Sequence, residues 1–154
     1  MAIHPVRRYP DPVLRKVAEK VTNISTEVRR VGEDMVETMH ASRGIGLAAN
    51  QIGVSLRIIT LEVGPEKETL PLVLINPEIV KAASEEIAEE GCLSLPGYYE
   101  TVRRARQVVV KAVTLEGKEF GMECEGLLAR AFQHEIDHLS PVKRQLFRKE
   151  YMKE

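Results

Sequence analysis

The stretch that most constrains this chain is residues 126–138, GLLARAFQHEIDH. Leu127, Leu128, Ala131, Phe132 and Ile136 recur at mostly helical spacing, with no Gly or Pro after the first position, so the stretch predicts a helix. His134 and His138 stand at i and i+4, one turn apart on one face. Two imidazoles so placed can reach a single metal ion, and Glu135 sits beside it as a proton acceptor. A solvated helix that carries His and Glu for solubility alone is the plain alternative for this motif taken by itself.

A chain of 154 residues, 44% hydrophobic and 29% charged, fits one compact domain over 1–154 that can bury its own core. The formal net charge of −1 gives no basic field that calls for DNA. No apolar run is long enough to predict a membrane span, and the first residues lack the apolar stretch of a secretory signal. Two cysteines, Cys92 and Cys124, make a poor disulfide framework. The expectation is a reducing, cytoplasmic setting, where a cysteine near catalytic histidines serves as ligand or nucleophile.

Pro5, Pro10 and Pro12 favour an extended opening, and Asp11-Pro12 can start a short helix. Ser25 or Thr26 reads as an N-cap, and Ile24, Val28, Val31, Met35 and Met39 predict an amphipathic helix over 26–41. Residues 44–53, GIGLAANQIG, place three glycines among small alanines, a backbone that bends tightly or approaches something closely. The stretch lacks the G-x-G-x-x-G and G-K-[ST] patterns of phosphate loops, so it reads as a close wall of a site with Gln51 as its polar tip, or as a plain tight connection. Strands are expected over 57–63 and 70–75, the second ended by Pro77, then in short pieces over 78–83, 85–89, 100–104 and 107–113. Glu116-Gly117 suits a hairpin turn, and Phe120, Met122 and Cys124 alternate as in a half-buried strand over 118–124. After Leu139, Ser140 and Pro141 suit the start of a C-terminal helix with Val142, Leu146 and Tyr151 on one stripe. The fold class expected is α+β, with short antiparallel sheets packed around the central helix that carries HEIDH and with N- and C-terminal helices.

A catalytic zinc-type site takes three protein ligands and leaves one position for water. Downstream of the histidines only Glu150 and Glu154 offer a third ligand, close to the chain end. Upstream, Cys92 lies in residues 90–94, EGCLS; a lone cysteine is more often core, but the preceding glycine lets the backbone come close to a cofactor.

Three stretches taken together, GIGLAANQ at 44–51, EGCLS at 90–94 and QHEIDH at 133–138, resemble the signature stretches of the peptide deformylases in the same order and with similar spacing. The resemblance covers most of residues 5–139. It implies a metal-dependent hydrolase that removes the N-formyl group from the N-terminal methionine of nascent polypeptides and releases formate. It implies Cys92, His134 and His138 as ligands of one divalent metal, commonly Fe(II), with Zn(II), Ni(II) and Co(II) also suited to one thiolate and two imidazoles. Glu135 is implied as the proton acceptor, and the Gln51 side-chain amide and Leu93 N–H as donors to the oxyanion. The resemblance places Ile45, Leu127 and Ala131 on the methionine pocket, with backbone from 44–47 and 90–93, which includes Gly44, Gly46, Glu90 and Gly91. Arg130 falls where the family often has an apolar residue, and its long stem can still line the pocket. The substrate backbone is expected to pair with the edges at Gly44–Gly46 and at Gly97–Tyr99. Asp137 and Glu90 are candidates to accept the outer N–H of a ligating histidine, with Arg104 as a partner of Glu90.

The chain departs from the family after Leu139, where Ser140-Pro141 follows at once in place of an apolar, strand-like segment. This leaves the end of the metal helix less covered and gives an expectation of self-association. The residues from Ser140 onward carry five cations against two carboxylates, which suits either a solvated helix face or contact with ribosomal RNA near the exit tunnel. Two rivals remain at this point: a zinc peptidase of the HExxH kind, and a non-catalytic, metal-stabilised binding module. A bacterial cytoplasm, rather than an organelle, is the setting expected.

Overall fold

The computed structural model describes residues 2–63 and 71–140. The architecture is α+β: five strands form one antiparallel sheet in the order of the chain, with helices on its faces. Helix α1 spans Thr26–Ala41, as its periodicity predicts, and the Ser25 hydroxyl caps it by accepting from the Val28 N–H. Upstream, Asp11 caps the short 3-10 turn Pro12–Arg15, accepting from the Val13 N–H. Strands β1 (Gly46–Ala48) and β2 (Ile58–Leu61) are short, and the 3-10 turn Ala49–Ile52 follows β1.

Two long strands replace the short pieces expected between 72 and 114. Strand β3 runs Leu72–Cys92 and β4 runs Leu95–Thr114, and they pair from Leu74↔Thr114 to Cys92↔Leu95. Pro77 does not end β3, because a register shift between Ile75 and Glu78 absorbs it. Asn76 sits there at φ 53, and its side-chain amide holds the Val21 backbone at both N–H and C=O, each at 2.9 Å. Asparagine tolerates this left-handed conformation where most residues do not. A turn at Gly117 then leads to β5 (Glu119–Glu125), whose half-buried positions are Phe120, Met122 and Cys124, as their alternation predicts.

Helix α2 spans Gly126–Leu139 and touches all five strands, so the several short sheets of the sequence reading are one sheet gathered around the HEIDH helix. Strand periodicity sorts the core into two layers. Leu47, Ile58 and Ile75 pack with Val28, Met35 and Met39 of α1. Ala48, Ile59, Leu61 and Leu74 pack with Ala129, Ala131, Phe132 and Leu139 of α2. No helix among the described residues is long and apolar enough to cross a membrane. The expected turn at 64–68 and C-terminal helix from Ser140 fall on residues outside the described ones, apart from Ser140 itself.

Candidate active site

Three elements converge at one end of the sheet. The β3–β4 hairpin closes through Leu93 and Ser94, so Cys92 is the last paired residue of β3. Helix α2 carries His134, Glu135 and His138, all less than one tenth exposed. The turn after β1 carries Asn50 and Gln51, both buried. One donor atom from each of Cys92, His134 and His138 lies within 4.8 Å of the other two, the one such trio among the described residues. Cys92 Sγ is 3.3 Å from His138 Nε2, and the two imidazoles stand edge to face with centroids 5.0 Å apart. A thiolate and two imidazoles this close are a donor set that suits a borderline or soft divalent cation.

Glu90 sets the orientation of His134. Its carboxylate accepts from His134 Nδ1 at 2.9 Å, which leaves Nε2 for a metal. It also accepts from Arg104 Nε and Nη2, each at 3.0 Å, and from Arg130 Nη1 at 2.6 Å. Arg104 in turn pairs with Asp137. Burial by itself would raise the Glu90 pKa, but His134 and Arg104 outweigh it and hold the carboxyl well below the usual range. Burial would likewise strip charge from His134, yet hydrogen bonds to Cys92 and Glu90 and the nearby Glu135 charge win, pushing it up to about 10 in the metal-free site.

Gln51 is fixed by its own turn. Its Oε1 accepts from the Ala48 N–H at 2.9 Å, so its Nε2 faces Ser94 Oγ at 3.1 Å and Cys92 Sγ at 3.6 Å. Glu135 is 5% exposed and its carboxylate lies against Gly46, where a Cβ would meet Oε2 at 2.6 Å. Only glycine leaves that carboxylate its place. Gly91 has a different reason: a Cβ there would strike the Tyr99 ring at 2.6 Å, so the glycine before the thiol makes room for an aromatic neighbour.

A cleft of about 1050 Å³ opens over this cluster. Cys92, His134 and Glu135 line it, with Gln51 and Leu93 beside them, while His138 is fully buried beneath. Gly44, Ile45, Gly46, Glu90, Gly91 and Gly97 also line it, as do Leu127, Arg130 and Ala131. Ile45 and Leu127 are about half exposed, apolar side chains held open to the cleft. Arg130 lines the cleft with its head group turned away from the mouth: besides Glu90 it donates to the carbonyls of Val102 at 3.0 Å and Glu86 at 2.9 Å. Sequence reasoning missed this anchoring. The available signal was position, since Arg130 stands one turn before His134 and so faces the same acceptor. It also missed the contacts of Asn50 and Ser94, residues inside the quoted stretches whose side chains carry no local signature.

The profile of the polypeptide deformylase family matches residues 3–143. The chain belongs to the polypeptide deformylase family. A peptide deformylase of Thermodesulfovibrio yellowstonii is 47% identical over 161 residues, covering 98% of this chain and 98% of that protein. The crystal structure of a peptide deformylase from Legionella pneumophila superposes with a TM-score of 0.86 at 47% identity, over 90% of this chain and 82% of that one. A deformylase structure from Ehrlichia chaffeensis in complex with actinonin gives a TM-score of 0.89 at 35% identity, over 99% and 94% of the two chains. With the deformylase family comes its reaction: metal-dependent hydrolysis that removes the N-formyl group from the N-terminal methionine of polypeptides and releases formate.

Proposed function

We propose that Cys92, His134 and His138 hold the metal of this deformylase, that Glu135 moves the proton, and that Gln51 Nε2 and the Leu93 N–H receive the developing negative charge. The observation that carries the reading is the convergence of three donor atoms within 4.8 Å on the floor of the cleft. A divalent cation held there supplies Lewis acidity, which brings the pKa of a water close to neutrality. Glu135, wedged against Gly46, accepts the proton of the water whose oxygen adds to the formyl carbon, a step that a cation held by Cys92, His134 and His138 would assist. When the carbon–nitrogen bond breaks, Glu135 returns a proton to the leaving amine, so formate and a free N-terminal methionine are the products. The Gln51 amide is prepositioned by Ala48 and Ser94, so its N–H reorganises little as the oxyanion forms.

The methionine side chain rests against Ile45, Leu127 and Ala131. The substrate backbone adds as a strand to the outer edge of β1, whose one strand neighbour among the described residues is β2, and to the segment at Gly97. Fe(II) is the metal proposed in the cell, with Zn(II), Ni(II) and Co(II) as substitutes, and the bacterial cytoplasm is the setting. The deciding experiment loads anaerobically purified protein with each metal and offers it formyl-methionyl peptides and internal peptide bonds. Formate release without backbone cleavage, lost on replacing Glu135 by Gln with metal retained, supports the reading. Cleavage of internal bonds would favour an HExxH peptidase, and full activity in Glu135→Gln would remove the proposed proton carrier.

A further inference from the structure

The side chain of Asn50 is fully buried, in the same 3-10 turn as Gln51. Its Nδ2 donates to the main-chain carbonyl of His138 at 2.6 Å, across 88 positions of sequence. A carbonyl can only accept, so the amide nitrogen is the atom that faces it. That carbonyl lies in the last turn of α2, where helix carbonyls have lost their in-helix donors. The next carbonyl, of Leu139, is met by the Ala18 N–H at 2.9 Å. The end of the helix is therefore held by groups from distant parts of the chain. Asn50 Oδ1 has no hydrogen-bond partner among the described residues. A buried amide that leaves one acceptor unpaired carries a desolvation cost, which an alanine or a small apolar residue would avoid.

We infer that Asn50 is a positioning residue for the metal centre: its amide clamps the backbone of His138 to the turn whose next side chain, Gln51, faces Cys92. The turn bridges the two arms that carry the proposed ligands. Asn50 ties it to α2, and Gln51 ties it to the β3–β4 hairpin through Cys92 and Ser94. The Gln51 carbonyl is itself fixed by the Arg7 N–H at 2.7 Å. Cutting the Asn50 bond frees the last turn of α2, and with it the His138 ring, to move relative to the thiolate. The ligands remain but their geometry loosens. This inference rests on the proposed ligand set Cys92, His134 and His138.

The test uses Co(II)-loaded full-length protein and follows metal release to a coloured chelator, beside the thermal midpoint and the split of kcat against KM. Outer partners of metal ligands typically tune affinity by roughly 10–100-fold, so Asn50→Ala is expected to release Co(II) at least about tenfold faster than the parent. Asn50→Ser, which keeps a donor on a shorter arm, is expected to fall between the two. KM for a formyl-methionyl peptide is expected to change less than kcat. Met35→Ala, in the other core layer, controls for stability: it lowers the midpoint and leaves release at the parent rate. Parent-like release from Asn50→Ala overturns the inference, as does equally fast release from Met35→Ala. If Asn50→Ala does not fold, Asn50→Ser decides by the same comparison with the parent. Cys92→Ala and His138→Ala are run alongside, and stoichiometric cobalt retained by either would indict the ligand assignment instead of the clamp.

Discussion

Helices α1 and α2 are both amphipathic and both lie on the same sheet, yet they bury different chemistry. The hidden face of α1 consists of Val28, Gly32, Met35, Thr38 and Met39, plus Asp34, whose carboxylate accepts from the His4 ring at 2.8 Å and the Ala2 N–H at 2.7 Å. The hidden face of α2 mixes Ala129, Ala131, Phe132 and Leu139 with Arg130, His134, Glu135 and His138. Apolar burial stabilises by area and tolerates exchange of similar volumes. A buried ionic network costs desolvation and is sustained only when each member keeps its partners. The α1 layer is packed mainly by apolar area, whereas the α2 layer buries ionisable groups that each need a partner.

The sharpest break in this comparison is Glu135→Gln. It removes a proton acceptor without emptying volume, so kcat is expected to fall by roughly 10²–10⁴-fold with metal content and thermal midpoint near the parent's. Loss of fold instead would mean that Glu135 serves packing. Next comes Glu90→Ala, which takes the shared acceptor from Arg104 and Arg130, leaving them Asp137 and two strand carbonyls, and unties His134. Breaking a buried pair of this kind costs about 3–5 kcal/mol, and denaturant titration is expected to show it together with weakened metal binding. Met35→Ala in the α1 layer costs about 2–5 kcal/mol by cavity formation, and here turnover of folded protein is expected to stay unchanged. Weakened metal binding in Met35→Ala would erase the distinction between the two layers.

Two groups beside α2 respond to pH in opposite directions. The folded pKa of Glu90 lies below its ordinary value of 4.5, so its contribution is present above that pH and is lost as pH falls through and beneath it. His134 in the metal-free protein has the opposite sign: raised from 6.5 to about 10, it stabilises below the lower value and loses that contribution as pH climbs to the upper one. Chelator-stripped protein is therefore expected to melt lower as pH rises across this window, while metal affinity increases over it as protons give way. A midpoint of the stripped protein that rises with pH would reverse the sign of the account. The smallest effect is expected from His4→Ala at the rim of the α1 layer. There a partly exposed pair contributes no more than about 1 kcal/mol, read as a slight shift in midpoint with activity intact.

What the sequence made legible was local. The limits of α1 follow from the Ser25 cap and the spacing of Val28, Val31, Met35 and Met39. The HEIDH face follows from helical periodicity alone, and β5 from the alternation of Phe120, Met122 and Cys124. The continuity of β3 and β4 was hidden because Pro77 looks like a strand end and Gly91, Pro96 and Gly97 look like breaks. The outer half of β3 is largely exposed, so it lacks the one-sided apolar alternation that marks a half-buried strand. Around Glu90 the sequence offered a ligating histidine and Arg104 as partners, but not Arg130 and not that all four donors meet on one carboxylate. They arrive from 14, 40 and 44 positions away, a convergence set by the hairpin packing on α2. Arg130 looked like a misplaced charge at a pocket mouth until its head group was seen spanning Glu90 and two strand carbonyls.

Anomalous diffraction at the absorption edge of the loaded metal reads the ligand set itself. The account predicts one strong peak per chain, about 2.3 Å from Cys92 Sγ and about 2.0–2.1 Å from His134 Nε2 and His138 Nε2, with Glu135 and Gln51 Nε2 facing its open side. A peak bound elsewhere, or one held by the two histidines with the Cys92 sulfur turned away, would contradict it.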